Sequence, residues 1–139
     1  MSTSEAAHVL QALFSAINAR DLDRLETLHS DEYELLDEAT GEVFRGPRGA
    51  RRNNEVWLDA FPDLVWEVTG VIGDGGHAAV EATGRGTHAG PLPTDEGGRP
   101  PTQRRIEIRI CTVGHVRDGK LVEGRDYYDR SLLLRQLVD

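Results

Sequence analysis

The sequence predicts an α+β domain in which three N-terminal helices lie on one face of a curved antiparallel or mixed β-sheet and enclose a cone. Three observations carry this expectation. Ala6, Val9, Leu10, Leu13, Phe14 and Ile17 recur at three- and four-residue spacing, the period of an amphipathic helix. From Leu64 onward the period drops to two, with Leu64, Trp66, Val68 and Ile72 alternating with more polar positions. Asp118-Gly119 then stands between two long alternating runs, a strong hairpin signal. Helices first and strands afterwards point away from an alternating α/β order. At 139 residues the chain is read as one domain, 1–139.

Each element has a local cause. Ser2 followed by Glu5 has the spacing of a capping box at the first helix. Asp21 is the expected N-cap of a short second helix that turns Leu22, Leu25 and Leu28 inward. Tyr33–Leu36 reads as a short strand stopped by Thr40-Gly41. Pro47 suits the first turn of a third helix running through Val56, Trp57, Leu58 and Phe61. Pro62 closes it, because the residue before a proline is pushed out of helical geometry. After an Asp74-Gly75 turn, His77–Ala89 reads as a long strand, with Gly84, Gly86 and Gly90 marking its far end. Gly90–Gln103 reads as a loop. Arg104–Arg117 and Lys120–Asp129 form the hairpin, and Leu132–Leu137 a final short helix. The pocket of such a cone is expected between Gly86–Gly90 and the third helix, with Pro93–Arg99 at its rim.

Charge narrows the partners. The chain carries 16 Lys and Arg against 24 Asp and Glu, a net charge of −8, which opposes any general nucleic-acid binding. Arginines gathered at Arg45–Arg52 and Arg99–Arg109 leave room for a local anion site only. The single cysteine, Cys111, excludes an intramolecular disulfide and sits in an apolar run where cysteine behaves as a small hydrophobe. Met1–Glu5 has no basic region before an apolar stretch, and no run approaches the ~18 apolar residues of a membrane span. The expectation is a cytoplasmic protein with no membrane contact.

Phosphate-binding loops, dinucleotide fingerprints and nucleophile elbows are absent from the sequence. His8, His29, His77, His88 and His115 lack ligand spacing, so a metal site has no support in the sequence. Catalysis would rest on carboxylates, imidazoles and tyrosines. The informative segment is Glu123-Gly124-Arg125-Asp126-Tyr127-Tyr128-Asp129. Strict alternation puts Glu123, Arg125, Tyr127 and Asp129 on one face, with Gly124, Asp126 and Tyr128 on the other. If Arg117 opposes Lys120, Ile110 opposes Tyr127 and Ile108 opposes Asp129. Ile106, Ile108 and Ile110 form an apolar face, so Asp129 is expected among isoleucines, where its charged form is disfavoured and acid–base work becomes possible. Asp129 before Ser131-Leu132 is also good helix-cap chemistry. A one-residue bulge would exchange the faces and bring in Asp126 instead. His88 would position a carbonyl or shuttle a proton, or else serve as a hydrogen-bonded histidine at a loop. Tyr33, Trp57, Phe61 and Trp66 would wall the pocket, or else simply fill the core. Asn54 on the third helix, with Ile108, Ile110 and Tyr127 on the hairpin, completes the expected lining.

Several segments taken in order carry a family likeness. They are Asn18-Ala19-Arg20-Asp21-Leu22-Asp23, Asp59-Ala60-Phe61-Pro62-Asp63-Leu64, Gly84–Gly90, Pro100-Pro101-Thr102, Arg117–Glu123, and Tyr128-Asp129 leading to Gln136-Leu137. Together they resemble the SnoaL-like polyketide cyclases, or ester cyclases, of the NTF2-like superfamily. The resemblance implies a cone-shaped α+β fold and usually a homodimer, without metal or organic cofactor. It implies acid–base closure of a ring by intramolecular aldol condensation of a hydrophobic polycyclic polyketide ester, as in antibiotic biosynthesis. The acid/base it carries over is the carboxylate before the last helix, which matches Asp129, with His88 on the Thr-His-x-Gly segment near the pocket. Gln103, where glycine commonly follows Pro-Pro-Thr, and the long Pro93–Arg99 stretch depart from the pattern at the cavity mouth. Relatives on this fold include hydroxylases, isomerases, epoxide hydrolases and non-catalytic binders.

Overall fold

In the computed structural model, which describes residues 4–94 and 97–138, helix α1 runs Glu5–Asn18. Its cap is Ser4, whose hydroxyl accepts the Ala7 N–H at 3.2 Å; Ser2 lies outside the described residues. Helix α2 (Leu22–Thr27) starts at Asp21, which accepts the Arg24 N–H at 3.1 Å, as the sequence led one to expect. Strand β1 (His29–Asp37) is longer than expected at both ends, and β2 (Val43–Arg45), a strand not anticipated, pairs with it. Helix α3 (Gly46–Ala60) has Pro47 in its first turn and stops before Phe61-Pro62. Then follow β3 (Val65–Asp74), β4 (His77–Thr87), β5 (Leu92–Thr94), β6 (Gly97–Arg99), β7 (Arg105–Arg117), β8 (Lys120–Tyr128) and α4 (Arg130–Arg135). The small β5–β6 hairpin occupies what reads as loop in the sequence.

The large sheet is mixed, in the order β2-β1-β8-β7-β4-β3, and only the β1–β8 pairing is parallel. Helices α1 and α3 cover one face. The inward side chains of β7 are Ile106, Ile108, Ile110 and Thr112, all buried, and they meet Val80 and Ala82 of β4. Asn18 pins the start of β3: its amide donates to the Trp66 carbonyl at 2.8 Å and accepts the Trp66 N–H at 2.9 Å. That bond pair sets Trp66 over Gly84, where an added Cβ would lie 2.7 Å from the indole ring. Likewise Gly124 leaves space for the Tyr33 hydroxyl, which would be 2.6 Å from a Cβ there. Both glycines are needed for close approach of an aromatic side chain.

The β7–β8 hairpin decides which carboxylate faces inward. Arg117 opposes Lys120 as expected, and Val116 opposes Leu121, but His115 then opposes Glu123. Val122 is an extra residue, a β-bulge that reverses the faces of everything after it. Ile110 therefore opposes Tyr128 rather than Tyr127, and Thr112 opposes Asp126. Tyr127 turns outward and is 39% exposed. Asp129 leaves the strand altogether and caps α4, accepting the Leu132 N–H at 3.0 Å. No helix among the described residues is long and apolar enough to cross a membrane.

Candidate active site

Between α1, α3 and the inner face of β1, β7 and β8 lies a cavity of about 40 Å³. A second compartment of about 70 Å³ adjoins it towards the β5 hairpin, and Asn53 and Trp57 line both. The walls of the inner compartment are apolar on the α1 side, with Leu13, Phe14 and Ile17, and aromatic where Trp57 meets Trp66 edge to face at 6.0 Å. At about 40 Å³ it has room for a few water molecules, well short of the ~300 Å³ where drug-sized ligand pockets begin.

Asp126 is the acid of this cavity. It is buried, and its Oδ1 accepts the Thr112 hydroxyl at 2.7 Å. Burial pushes its carboxyl up to about 6; the Thr112 hydrogen bond opposes that rise, and the charge of Asp37 adds to it. Tyr33 lies close by, its phenol driven well above the ordinary range by burial and then by the Asp126 charge. His29, packed edge to face on Tyr33 at 4.4 Å, donates from Nδ1 to the Leu25 carbonyl at 2.7 Å. A carbonyl can only accept, so Nδ1 carries the proton and Nε2 is the bare acceptor of the neutral ring. Burial pulls the His29 imidazole down to about 4. Asn53 is 7% exposed, and its amide has no hydrogen-bond partner among the described residues. A buried amide without a partner, lining both compartments, is built to meet a ligand or water.

Of the residues expected from the sequence, Asp126, Tyr33, Asn54, Trp57, Trp66 and Ile110 line the inner cavity. Asn54 is already engaged, its amide donating to the Ala50 carbonyl at 2.9 Å, so Asn53 is the unengaged amide. Ile108 and Phe61 belong to the core, and Phe61 packs on Trp57 and His88. Asp129 is an exposed helix cap and Tyr127 points to the outer face; the Val122 bulge displaces both. His88 is fully buried away from both compartments. Its Nδ1 accepts the Thr102 N–H at 3.2 Å, its own N–H donates to the Arg104 carbonyl at 2.8 Å, and it staples the end of β4 to the start of β7. Burial, and then the Arg99 charge, hold its imidazole below the usual value. The Gly86–Gly90 end, expected as the mouth, is closed by packing. The N–H groups of Ala89 and Gly90 both donate to the Ala60 carbonyl at 3.1 Å, and Asp63 accepts the Thr87 N–H at 2.6 Å. Pro93 does line the outer compartment, and Arg130 donates to its carbonyl at 2.6 Å.

His29, Asn53, Thr112 and Asp37 were missed from the sequence. Three left a trace there. Asn53 falls on the Gly49, Asn53, Trp57, Ala60 stripe of α3, Thr112 continues the isoleucine face of β7, and Asp37 continues the Tyr33, Leu35 face of β1. Each is a polar residue on an apolar stripe, which calls for a partner or a ligand. Among the described residues no group of three or more His, Cys, Asp or Glu side chains is arranged to hold a metal ion.

The family model for SnoaL-like polyketide cyclases matches residues 7–137. The chain belongs to that family. Its solved neighbours include AclR, a candidate hydroxylase from Streptomyces galilaeus, at 26% identity and a TM-score of 0.82, covering 98% of this chain and 82% of that one. IdmH, a candidate polyketide cyclase from Streptomyces antibioticus, matches at 26% identity and a TM-score of 0.79, covering 95% and 97%. A SnoaL-like protein from Jannaschia is similar in fold, with a TM-score of 0.86 at 21% identity over 99% and 96% of the two chains. No curated protein sequence matches. Family and neighbours support an NTF2-like enzyme. In this SnoaL-like chain the buried carboxylate of the last strand is Asp126, whereas Asp129, the position carried over from the family likeness, is the helix cap.

Proposed function

We propose that this SnoaL-like protein is a cofactor-independent cyclase that closes a ring of a hydrophobic polycyclic polyketide by intramolecular aldol addition, with Asp126 as acid/base. The observation that carries the proposal is a buried carboxyl, pushed up to about 6, beside the Tyr33 phenol and the unpartnered Asn53 amide. The ionised Asp126 takes the proton from a carbon between two carbonyls. Asn53 and Tyr33 donate to the enolate oxygen. The enolate carbon then bonds to the aldehyde or ketone carbon, and protonated Asp126 returns its proton to the new alkoxide. Proton transfer by a placed carboxyl contributes typically ~10²–10⁴-fold. His29 stays neutral and offers Nε2 as an acceptor for a phenolic hydroxyl.

A flat polycycle exceeds both compartments, which even joined fall short of ~300 Å³, so binding requires Asn53 and Trp57 to move aside and the walls around them to open further. The test is incubation with an anthracycline-type tricyclic ester. An isomeric product, with turnover lowered ~10²-fold or more in Asp126→Asn, supports the reading. Equal turnover by Asp126→Asn refutes it. The likeness to AclR favours a second reading, hydroxylation on the same scaffold, which a product heavier by one oxygen would establish. A wild-type protein that binds and converts nothing of this class would leave a non-catalytic binding domain. Two copies paired through the outer sheet face, where Val65 and Tyr127 are exposed, and a cytoplasmic location complete the proposal.

A further inference from the structure

Asp37 and Asp126 are register partners on the parallel strands β1 and β8. Both are buried, 6% and 9% exposed, and neither makes an ion pair with any Lys or Arg of the described residues. Like charges side by side on adjacent strands repel, and burial strengthens the repulsion. Such a pair is tolerable when it carries a single charge.

The neighbours show where that charge sits. Asp37 takes three donors: the N–H groups of Ala39 and Thr40 on Oδ1, at 2.9 and 3.1 Å, and the Tyr128 hydroxyl on Oδ2, at 2.8 Å. Arg130 stands behind, 3.5 Å from the Tyr128 oxygen. Asp126 takes one donor, Thr112. A carboxylate that accepts several hydrogen bonds keeps its charge, so the proton goes to the other member.

We propose that Asp37 is a positioning residue for Asp126: the two form a coupled dyad in which the charge held on Asp37 makes the Asp126 carboxyl reluctant to ionise and ready to take a proton back, towards the inner cavity. The proposal rests on the reading of Asp126 as the acid/base and adds a group that, beside burial, tunes its proton affinity. The remaining surroundings of Asp126 contribute little charge. Tyr33 and His29 of β1 face the same cavity, the latter neutral through its bond to Leu25. Thr112 comes from β7, with Cys111 on the opposite face of that strand. Helix α1 presents Leu13, Phe14 and Ile17, and α3 presents Asn53, Asn54 and Trp57, none of them charged.

The experiment is a ¹³C carboxyl NMR titration of the full chain. In the wild type, the Asp126 signal must titrate in the raised range, at about 6; an Asp126 signal that titrates in the ordinary carboxylate range overturns the dyad. Asp37→Asn keeps an oxygen for the Ala39 and Thr40 N–H groups, and should lower the Asp126 midpoint by roughly one pH unit from about 6. Asp37→Ser, which also suits the turn, is the second variant. Glu38→Gln removes the same charge one residue away in solvent, and should leave the midpoint within ~0.2 units because exposed charges are screened. An unmoved Asp126 midpoint in a folded Asp37 variant overturns the proposal, as does an equal fall in Glu38→Gln. Failure of the acid/base reading would show separately, as unchanged turnover in Asp126→Asn.

Discussion

Replacing Asp126 by asparagine should strengthen the fold at alkaline pH while abolishing its chemistry. The carboxyl rises from 3.8 to about 6 on folding. Two units at 1.36 kcal/mol each amount to about 3 kcal/mol. Because the folded value is the higher one, this contribution is fully present below pH ~4, is lost as pH rises through 6, and stays lost above. At pH 8 the folded protein thus holds an ionised carboxylate in a nearly dry cavity. Asparagine keeps an acceptor for Thr112 and has no charge to bury. Asp126→Asn should therefore gain roughly 2–3 kcal/mol at pH 8 and about nothing at pH 3.5.

His29 works in the opposite direction. Its imidazole falls from 6.5 to about 4 on folding, so its stabilisation is present above 6.5 and is lost as pH drops through 4. Asp63, lowered chiefly by the Thr87 N–H, adds to the same acid-side loss. Between pH 4 and 6 the slopes of Asp126 and His29 oppose each other, which flattens the wild-type profile. Asp126→Asn removes one slope and exposes the other. Urea unfolding followed by the fluorescence of Trp57 and Trp66 at pH 8, 6 and 4 measures all of this. A variant destabilised at pH 8, or changed by the same amount at pH 8 and pH 4, would refute the reasoning.

Thr112→Val removes the one hydrogen bond that the described residues make to the Asp126 carboxyl; it should raise the Asp126 midpoint above 6 and cost about 1.5–3 kcal/mol at pH 8, less at pH 4, by the same titration and unfolding series. Asp129→Ala should cost about 1 kcal/mol through the lost cap of α4, while Asp129→Asn should match wild type in stability and in turnover. Asn53→Leu should leave the fold as stable as before, or more so, because the amide has no partner among the described residues to lose, and should weaken binding of a tricyclic ligand about tenfold in calorimetry. Light scattering at micromolar concentration should give the mass of two chains, and a monomer mass would remove the proposed pairing.

Much of the fold was legible because it rests on local signals. The α1 stripe, the Asp21 cap, Pro47 in the first turn of α3, Phe61-Pro62 at its end and the Asp118-Gly119 turn each fix an element within a few residues. The site was less legible because it depends on contacts between elements. His29 lines the cavity only because β1 begins early enough to bond Leu25, and no spacing in the sequence announces that. The closing of the Gly86–Gly90 end depends on His88 meeting Phe61 and on the corner after α3 bonding to Thr87, again at long range.

The exchange of Asp129 for Asp126 is different, because the sequence held the argument for it. Counting from Arg117 opposite Lys120 with strict alternation puts Leu121 inside, which is correct, but carries Glu123 and Arg125 inside with it. Two charges would then share the face of Ile106, Ile108 and Ile110, at a cost of several kcal/mol each unless paired. One extra residue after Leu121 turns both outward and brings Gly124, Asp126 and Tyr128 in. Gly124 on that side admits the Tyr33 hydroxyl, and Asp126 meets Thr112, the polar residue on the same isoleucine stripe. Leu121 is 1% exposed and pairs across to Val116, so the bulge falls immediately after the last residue that had to stay inside. Weighing which residues of a strand can bear burial, rather than counting from the turn alone, locates the bulge and selects the carboxylate.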